Sequence, residues 1–285
     1  MIIAVGVEYL GGPYSGWQYQ GHSDNTVQEQ VQKALSFVAN EPISVFATGR
    51  TDSGVSAFEQ VCHFQTNVQR EPYNWRQGAN TQLPKSIRIH WVKQVDPDFH
   101  ARFKALYRDY IYIIHRTAVA SALCADHALA WRQPLNTSAM AQACTYLKGT
   151  CDYSAFRAAS CQAKHAVRTI FEADIFTQGD FIAFAIRGNA FLHHMVRNIV
   201  GSLLLVGQED QPPEWIATLL EQGDRAVAGP TAPPQGLYLR TTYFAPRYAI
   251  PSTTKTPFGL FDRELAAWPQ NPSQYIDYNF GSRLV

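Results

Sequence analysis

The segment Ala47–Phe64, ATGRTDSGVSAFEQVCHF, constrains this chain more than any other stretch of its sequence. Just before it, Ile43–Ala47 is short, apolar and partly β-branched, and Ala57–Phe64 alternates roughly between apolar and polar residues. Both patterns predict strands. Between them, Gly49 and Gly54 tolerate backbone angles that other residues resist, which predicts a tight loop joining the two strands.

The predicted loop carries opposite charges on Arg50 and Asp52, two residues apart. On an extended backbone both side chains would project to the same side. An opposite charge nearby favours the ionised form of a carboxylate, and an ionised carboxylate is able to act as a nucleophile. The residues alone leave an alternative, in which Asp52 hydrogen-bonds its own turn with help from Thr51 and Ser53.

The composition is that of an ordinary globular protein, with 46% apolar and 16% charged residues among 285. Each half repeats a strand–helix–strand–strand order, which predicts an α+β fold of two similar domains. Their sheets are expected to be mainly antiparallel, with helices packed on the sheet. We place the domains at 1–104 and 105–246, and interpret the Pro-, Thr- and Asn-rich residues 247–285 as a loosely structured tail.

Hydrophobic periodicity and turn signals predict the individual elements. Strands are expected at Ile2–Tyr9, Ile87–Val95, Leu106–His115, Thr169–Thr177, Phe181–Arg187 and Leu237–Phe244. Helices are expected at Val27–Val38, Tyr73–Thr81, Ser138–Leu147, Ala190–Val206 and Pro213–Glu221. Because the first predicted element, Ile2–Tyr9, has a strand pattern, these residues are not expected to be a signal peptide.

Charge is uneven along the chain although the net charge is only +1. The stretch Lys85–Arg116 contains seven basic and three acidic residues, whereas Glu209–Asp224 contains acidic residues and no Lys or Arg. Charge alone fits either a basic surface for nucleic acid or charges scattered over solvated faces.

Five cysteines without C-x-x-C spacing suit reduced thiols in the cytoplasm, and no apolar run is long enough to span a bilayer.

Two further segments carry candidate site residues. In the predicted strand Leu106–His115, Arg108, Tyr110 and Tyr112 share one face, an arrangement suited to base stacking and phosphate contact. Tyrosine is also an ordinary strand residue, so an ordinary strand remains an alternative. In the predicted helix Ala190–Val206, Arg197 is a cation among apolar residues and calls for a partner, for which Asp52 is the candidate. The alternative is that the Arg197 side chain points to solvent.

The adjacent pair His193-His194 raises the question of a metal site. Neighbouring residues on a helix diverge, and no Cys or carboxylate stands at ligand spacing in the sequence. The sequence therefore predicts no metal.

Six blocks of the chain together resemble the tRNA pseudouridine synthase A family, in its order and at similar spacings. They are GRTDSGV (49–55), FHARF (99–103), YRDYIY (107–112), WRQPL (131–135), NAFLHHMVRNIVGSLLLVG (189–207) and GLYL (236–239). The resemblance runs from about Val5 to about Phe261. It favours the nucleophile interpretation of Asp52 over the turn interpretation.

The resemblance implies a cofactor-free isomerase that converts uridine to pseudouridine at positions 38 to 40 of the tRNA anticodon stem–loop. It implies two domains whose sheets join side by side around an active cleft, and a homodimer binding tRNA. Asp52 would be the nucleophile, Tyr110 would stack on the target base and Arg197 would pair with Asp52. Arg50 would fill the space of the flipped-out base or hold the adjacent phosphate, and Leu237 would line the uracil pocket.

The resemblance leaves the chemistry of Asp52 open between attack at C6, attack at C1′ and proton abstraction at C2′. The chain departs from the family pattern at Ser53, where Ala is usual, and at Ser56, where His is usual. These departures put only the fine contacts of the loop in doubt.

Rival functions are a non-catalytic RNA-binding protein and a hydrolase using Asp52 as a base. For the hydrolase, no second carboxylate or set of metal ligands is evident in the sequence.

Overall fold

A computed structural model describes residues 1–18, 25–253, 255–256, 259–269 and 275 of the chain. Its strands are β1 (Ile2–Tyr9), β2 (Phe46–Ala47), β3 (Ser56–Gln65), β4 (Ile87–Val95), β5 (Ala105–Arg116), β6 (Leu129–Trp131), β7 (Gly149–Asp152), β8 (Val167–Gln178), β9 (Phe181–Gly188) and β10 (Leu237–Phe244). Its helices are α1 (Val27–Ala39), α2 (Pro72–Gln82), α3 (Thr137–Thr145), α4 (Met195–Gly207), α5 (Trp215–Gln222) and α6 (Asp262–Ala266).

The chain forms two compact units, and each contains its own set of paired strands. The first unit comprises mainly Met1–Leu106 and Tyr238–Lys255. Its strands lie in the order β4-β1-β3-β10, with β2 also paired to β3. Strand β1 is antiparallel to both β3 and β4, whereas β10 runs parallel to β3 through Tyr238 opposite Ser56.

The second unit comprises Tyr107–Leu237 and Thr256–Gln270. Its strands lie in the order β5-β9-β8-β7, all antiparallel, and β6 adds to β5 in parallel. Helix α3 contacts both β8 and α4. The predicted α+β class with mainly antiparallel sheets is confirmed.

Helix α1 illustrates how local sequence determines an element of the first unit. Thr26 takes extended angles and its side chain accepts a hydrogen bond from the Glu29 backbone N–H, so the helix begins at a polar cap. The apolar residues at helical spacing between Val27 and Val38 are buried. The helix ends where Asn40 adopts left-handed angles. Both the cap and the buried face were predictable from the sequence.

The predicted strand at Ile43–Ala47 is mostly wrong, because only Phe46–Ala47 pairs with β3. Side chains of helix α1 instead accept hydrogen bonds from the backbone N–H groups just before Phe46. The Ile43 N–H donates to Ser36 Oγ over 2.8 Å, and the Val45 N–H donates to Gln32 Oε1 over 3.0 Å. Side chains of a helix therefore take the hydrogen bonds that a strand partner would supply.

The C-terminal part of the chain contributes to both units. Strand β10 pairs with β3, so Tyr238–Lys255 belongs to the first unit, whereas the predicted second domain ran continuously over 105–246. Within the predicted tail 247–285, α6 is formed and Leu265 is buried. The part of the tail around α6 is therefore packed rather than loose, and the predicted domain limits remain a prediction.

A buried ion pair joins two strands of the second unit. Asp109 on β5 and Arg187 on β9 are cross-strand partners, and both side chains are almost completely shielded from solvent. The contact is bidentate, with both N···O distances at 2.7 Å. The Arg187 guanidinium also donates to the Pro269 carbonyl and lies 5.3 Å from the centre of the Trp268 ring. The pair thus anchors the segment that follows α6.

His63 lies in an aromatic cluster of the first unit. Its ring stacks on Phe46 at 5.3 Å, meets Phe99 edge-on at 6.0 Å and lies 4.5 Å from His100. Its Nδ1 accepts the Ala101 N–H over 3.2 Å. Burial, and then the charge of His100, lower the pKa of His63 to about 4, so the native ring is neutral at physiological pH.

We expect the His63→Asn variant to flatten the pH dependence of stability. Since the pKa of His63 is lower in the folded protein, its contribution is fully present above the unfolded pKa near 6.5 and is lost as pH falls towards 4. Between pH 7 and pH 5 the wild type should lose about 2 kcal/mol more unfolding free energy than the variant. Asn is chosen because its side-chain oxygen is able to accept the Ala101 N–H in place of His63 Nδ1. Urea titrations at both pH values measure this.

The exposed His165 supplies the matched control for this experiment, as His165→Asn. Its urea midpoints should fall with pH as those of the wild type do. If His63→Asn follows the wild type as well, His63 is not the group that titrates.

Within the described residues, no helix combines the length and the apolar character needed to cross a membrane.

Candidate active site

The pairing of β1 with β3 brings two loops of the first unit together. Because the strands are antiparallel and Tyr9 lies opposite Ala57, the residues that follow β1 lie beside those that precede β3. The first of these, Leu10–Trp17, is here called the glycine loop, and the second, Thr48–Val55, is called the Asp52 loop. The fold therefore places the GRTDSGV block directly against the glycine loop.

Thr51 connects the Asp52 loop to this neighbour. Its carbonyl accepts the Trp17 N–H over 3.1 Å, and its hydroxyl lies 2.8 Å from the Tyr9 hydroxyl. Thr51 and the Tyr9 ring are both buried. The Thr51 side chain thus bonds across to β1, in contrast to the alternative in which it supports only its own turn.

Two glycines let the backbones of these loops touch. A Cβ on Gly16 would lie 2.7 Å from the Thr51 carbonyl oxygen, and Gly16 has a φ of +89°. A Cβ on Gly11 would lie 2.1 Å from the Val55 carbonyl oxygen. Any other residue at these positions would force the loops apart, so their contact depends on the absence of side chains.

Asp52 itself lies partly buried within this frame, and Arg50 is exposed. The Asp52 carbonyl accepts the Val55 N–H over 3.1 Å in a turn, and Gly54 has a φ of 80° within it. Gly49, which was expected to tolerate unusual angles, has no positive φ. Its carbonyl instead accepts a 2.7 Å hydrogen bond from the buried Gln60 amide.

Tyr110 lies on β5 in the second unit and is partly buried. Its ring meets Phe191 edge-on, with centroids 4.9 Å apart and planes at 75°. On the same strand, the Arg108 guanidinium donates to the Asn189 carbonyl over 2.6 Å. Two predicted contact residues thus hold the segment that precedes α4.

The predicted helix Ala190–Val206 begins later than expected, at Met195. His194 takes left-handed angles, with a φ of 61°, and this stops the helix from extending towards Phe191. Phe191 therefore packs on Tyr110 rather than forming part of a helical stripe. His193 and His194 also precede the helix, and their rings lie 4.0 Å apart, so the argument that helical geometry makes them diverge was wrong.

Arg197 lies in the first turn of α4 and exchanges hydrogen bonds with Ala232. Its Nε donates to the Ala232 carbonyl over 2.7 Å, and its own carbonyl accepts the Ala232 N–H over 3.1 Å. Burial raises the pKa of Tyr112, and the nearby charge of Arg197 partly opposes this rise. The predicted ion pair between Arg197 and Asp52 stays a prediction.

Leu237 begins β10 directly after a short 3₁₀ turn at Pro234–Gly236, and its side chain is buried. The Tyr112 hydroxyl donates to the Pro233 carbonyl over 2.8 Å, just before this turn. Tyr112 and Arg197 therefore both fix the segment that leads to Leu237. The sequence pattern placed Tyr112 on the same face as Tyr110, as a residue suited to base stacking. In the structure its hydroxyl positions the segment before Leu237.

Several residues of the basic stretch Lys85–Arg116 are engaged within the protein. Arg88 donates to the Pro84 carbonyl over 2.7 Å, Lys93 to the Ala249 carbonyl over 2.7 Å, and Lys104 lies 3.2 Å from an Asp98 oxygen. These charges support loops and chain ends of their own unit, which weakens the case for one continuous basic surface.

The glycine loop is the site component that the sequence analysis missed. Trp17 at its end and Tyr9 just before it both contact Thr51, which lies about forty positions away in the chain. The available signal was the cluster Gly11-Gly12-Pro13 followed by Gly16, which is typical of a tight connection. That cluster predicts a turn, but nothing in it indicates which loop it contacts.

Comparisons with known proteins place the chain in a family. The family described as tRNA pseudouridine synthase matches residues 6–104 and 143–245. A tRNA pseudouridine synthase A from Hydrogenovibrio crunogenus is 48% identical over 250 residues, covering 88% of this chain and 95% of the relative. That of Actinobacillus succinogenes is 47% identical, covering 92% and 99%, and that of Escherichia coli is 44% identical, covering 91% and 96%.

Among solved structures, a chain from the "Crystal Structure of a Cbf5-Nop10-Gar1 Complex" matches with a TM-score of 0.35 and 12% identity, over 83% of this chain and 48% of that chain. A likeness this low supports no conclusion about function. The sequence relatives and the family match are sufficient without it: this chain belongs to the tRNA pseudouridine synthase family.

Proposed function

We propose that this protein isomerises uridine to pseudouridine in tRNA, at positions 38 to 40 of the anticodon stem–loop, with Asp52 as the nucleophile. The observation that carries the proposal is the Asp52 loop, which holds a partly buried carboxylate next to Thr51. The Thr51 carbonyl accepts the Trp17 N–H, and the Thr51 hydroxyl bonds to the Tyr9 hydroxyl. The names of the relatives support tRNA as the substrate.

The reaction balances without a redox partner. The N1–C1′ bond of the nucleotide breaks, the uracil turns, and a C5–C1′ bond forms; the hydrogen at C5 leaves as a proton and N1 gains one. Asp52 attacks C6 or C1′, or removes the proton at C2′, and these alternatives share the same overall balance. No step of this scheme requires a metal or an organic cofactor.

The remaining candidate residues serve the flipped-out nucleotide, because a stacked base is out of reach of a side chain. We assign the stacking role to Tyr110, whose ring Phe191 holds edge-on, and phosphate contact or space filling to the exposed Arg50. Leu237 supplies an apolar wall for the uracil. The proposed working form is a cytoplasmic homodimer.

A tritium-release assay tests this function directly. With tRNA labelled at C5 of uridine, the purified protein should release tritium into water, and release should continue in EDTA once the RNA is folded. An unstructured oligonucleotide with the same local sequence should react far more slowly, because a protein recognises structured RNA mainly through backbone path and extruded bases. Absence of release from tRNA contradicts the proposed function, and equal rates on both substrates contradict recognition by shape.

A further inference from the structure

Ser53 and Ser56 stand on either side of the turn that follows Asp52, and both side chains bond to the glycine loop. The Ser53 hydroxyl donates to the Tyr14 carbonyl over 3.2 Å. The Ser56 hydroxyl accepts the Gly11 N–H over 2.9 Å. The two bonds reach the glycine loop three residues apart, so together they resist both sliding and rotation of the Asp52 loop.

The two hydroxyls differ in exposure. Ser56 is only 2% exposed and begins β3, where its bond to Gly11 satisfies a buried backbone N–H. Ser53 is exposed, one residue after Asp52, and its bond reaches the carbonyl of the buried Tyr14, so this bond is well placed to orient the loop. Loss of Ser56 should therefore loosen the start of β3, whereas loss of Ser53 should free the turn beside the carboxylate.

We propose that Ser53 and Ser56 are positioning residues that hold the Asp52 loop against the glycine loop, so that the carboxylate is already oriented when the nucleotide arrives. This inference rests on the proposed role of Asp52. Reaction rates respond steeply to such positioning, because a displacement of about 1 Å is enough to cost about a hundredfold in rate. The serines act through the backbone and touch no reacting atom.

The experiment compares Ser53→Ala, Ser56→Ala and the double variant with the wild type in the tritium-release assay. The double variant should lose about 10- to 100-fold in kcat, while KM and the Kd for tRNA stay within about threefold. Ser53→Thr retains the hydroxyl at an exposed position and should recover most of the kcat lost in Ser53→Ala. Hydrogen exchange of the peptide covering residues 9–18 should quicken in the double variant, because Gly11 loses its acceptor.

Thr81→Ala is the matched control, since Thr81 is an exposed hydroxyl of the same unit that donates to the Gly78 carbonyl over 2.7 Å. It should leave kcat unchanged. Full kcat in the double variant, a rise in KM alone, or a loss of kcat matched by a loss of folded protein would each overturn the proposal. Failure of the proposed function is distinguishable, because it would appear as an inactive wild type or as an active Asp52→Asn variant.

Discussion

In the Asp52→Asn variant, the turnover measured by tritium release should fall by about four orders of magnitude or more. The amide preserves the shape of the side chain and leaves the backbone bonds of the loop in place, but it removes the nucleophile. Affinity for tRNA should stay within about tenfold of the wild type, because contacts with phosphates supply most of the affinity of proteins for nucleic acids. Single-turnover tritium release and filter binding measure the two quantities.

Asp96→Asn makes the same chemical change at an exposed position of the same unit, and it should behave as wild type in both assays. Substantial turnover by purified Asp52→Asn would exclude Asp52 as the nucleophile. A parallel loss of tRNA affinity would show instead that the side chain serves mainly in binding.

The second large effect concerns stability. Asp109→Ala should lower the unfolding free energy by about 3–5 kcal/mol, because it removes the bidentate carboxylate partner of the buried Arg187 guanidinium. Replacing both partners, as Asp109→Leu with Arg187→Met, should cost less than the single change, since neither charge of the pair then remains buried. Urea unfolding followed by circular dichroism measures both variants.

The exposed pair Arg247–Asp98 supplies the control, because its N···O distance is also 2.7 Å while both side chains are nearly half exposed. Asp98→Ala also removes the contacts of this exposed carboxylate with Lys104 and the Tyr248 hydroxyl, but it should still cost much less than Asp109→Ala, as expected for solvated charges. Equal losses in Asp98→Ala and Asp109→Ala would refute the claim that burial makes the Asp109 pair important.

The elements that the sequence predicted correctly are those with strong periodicity and clear ends. Strands β1, β4 and β10 have the predicted bounds, and the β8–β9 hairpin turns at Gly179, whose φ is 57°. Each has an apolar pattern bounded by turn residues, and such local signals persist in the folded chain.

The errors occurred where distant contacts, or the backbone angles of a single residue, override the local pattern. Ile43–Val45 has strand-like residues, but the side chains of α1 take its backbone hydrogen bonds. Helix α4 begins late because His194 adopts left-handed angles, which no periodicity reveals. In the tail, the segment just after α6 is fixed by the hydrogen bond from Arg187 of β9 to the Pro269 carbonyl. This contact forms only when the sheet is folded.

The sequence by itself determined the α+β class, the family and the identity of the candidate nucleophile, because these depend on residue types and their spacing. Only the tertiary structure decided what holds Asp52 in place. The antiparallel register of β1 and β3, with Tyr9 opposite Ala57, brings the glycine loop against the Asp52 loop. Tyr9, Gly11 and Tyr14 bond there to Thr51, Ser56 and Ser53, partners separated by about forty residues, and only the closure of the sheet brings such distant residues together.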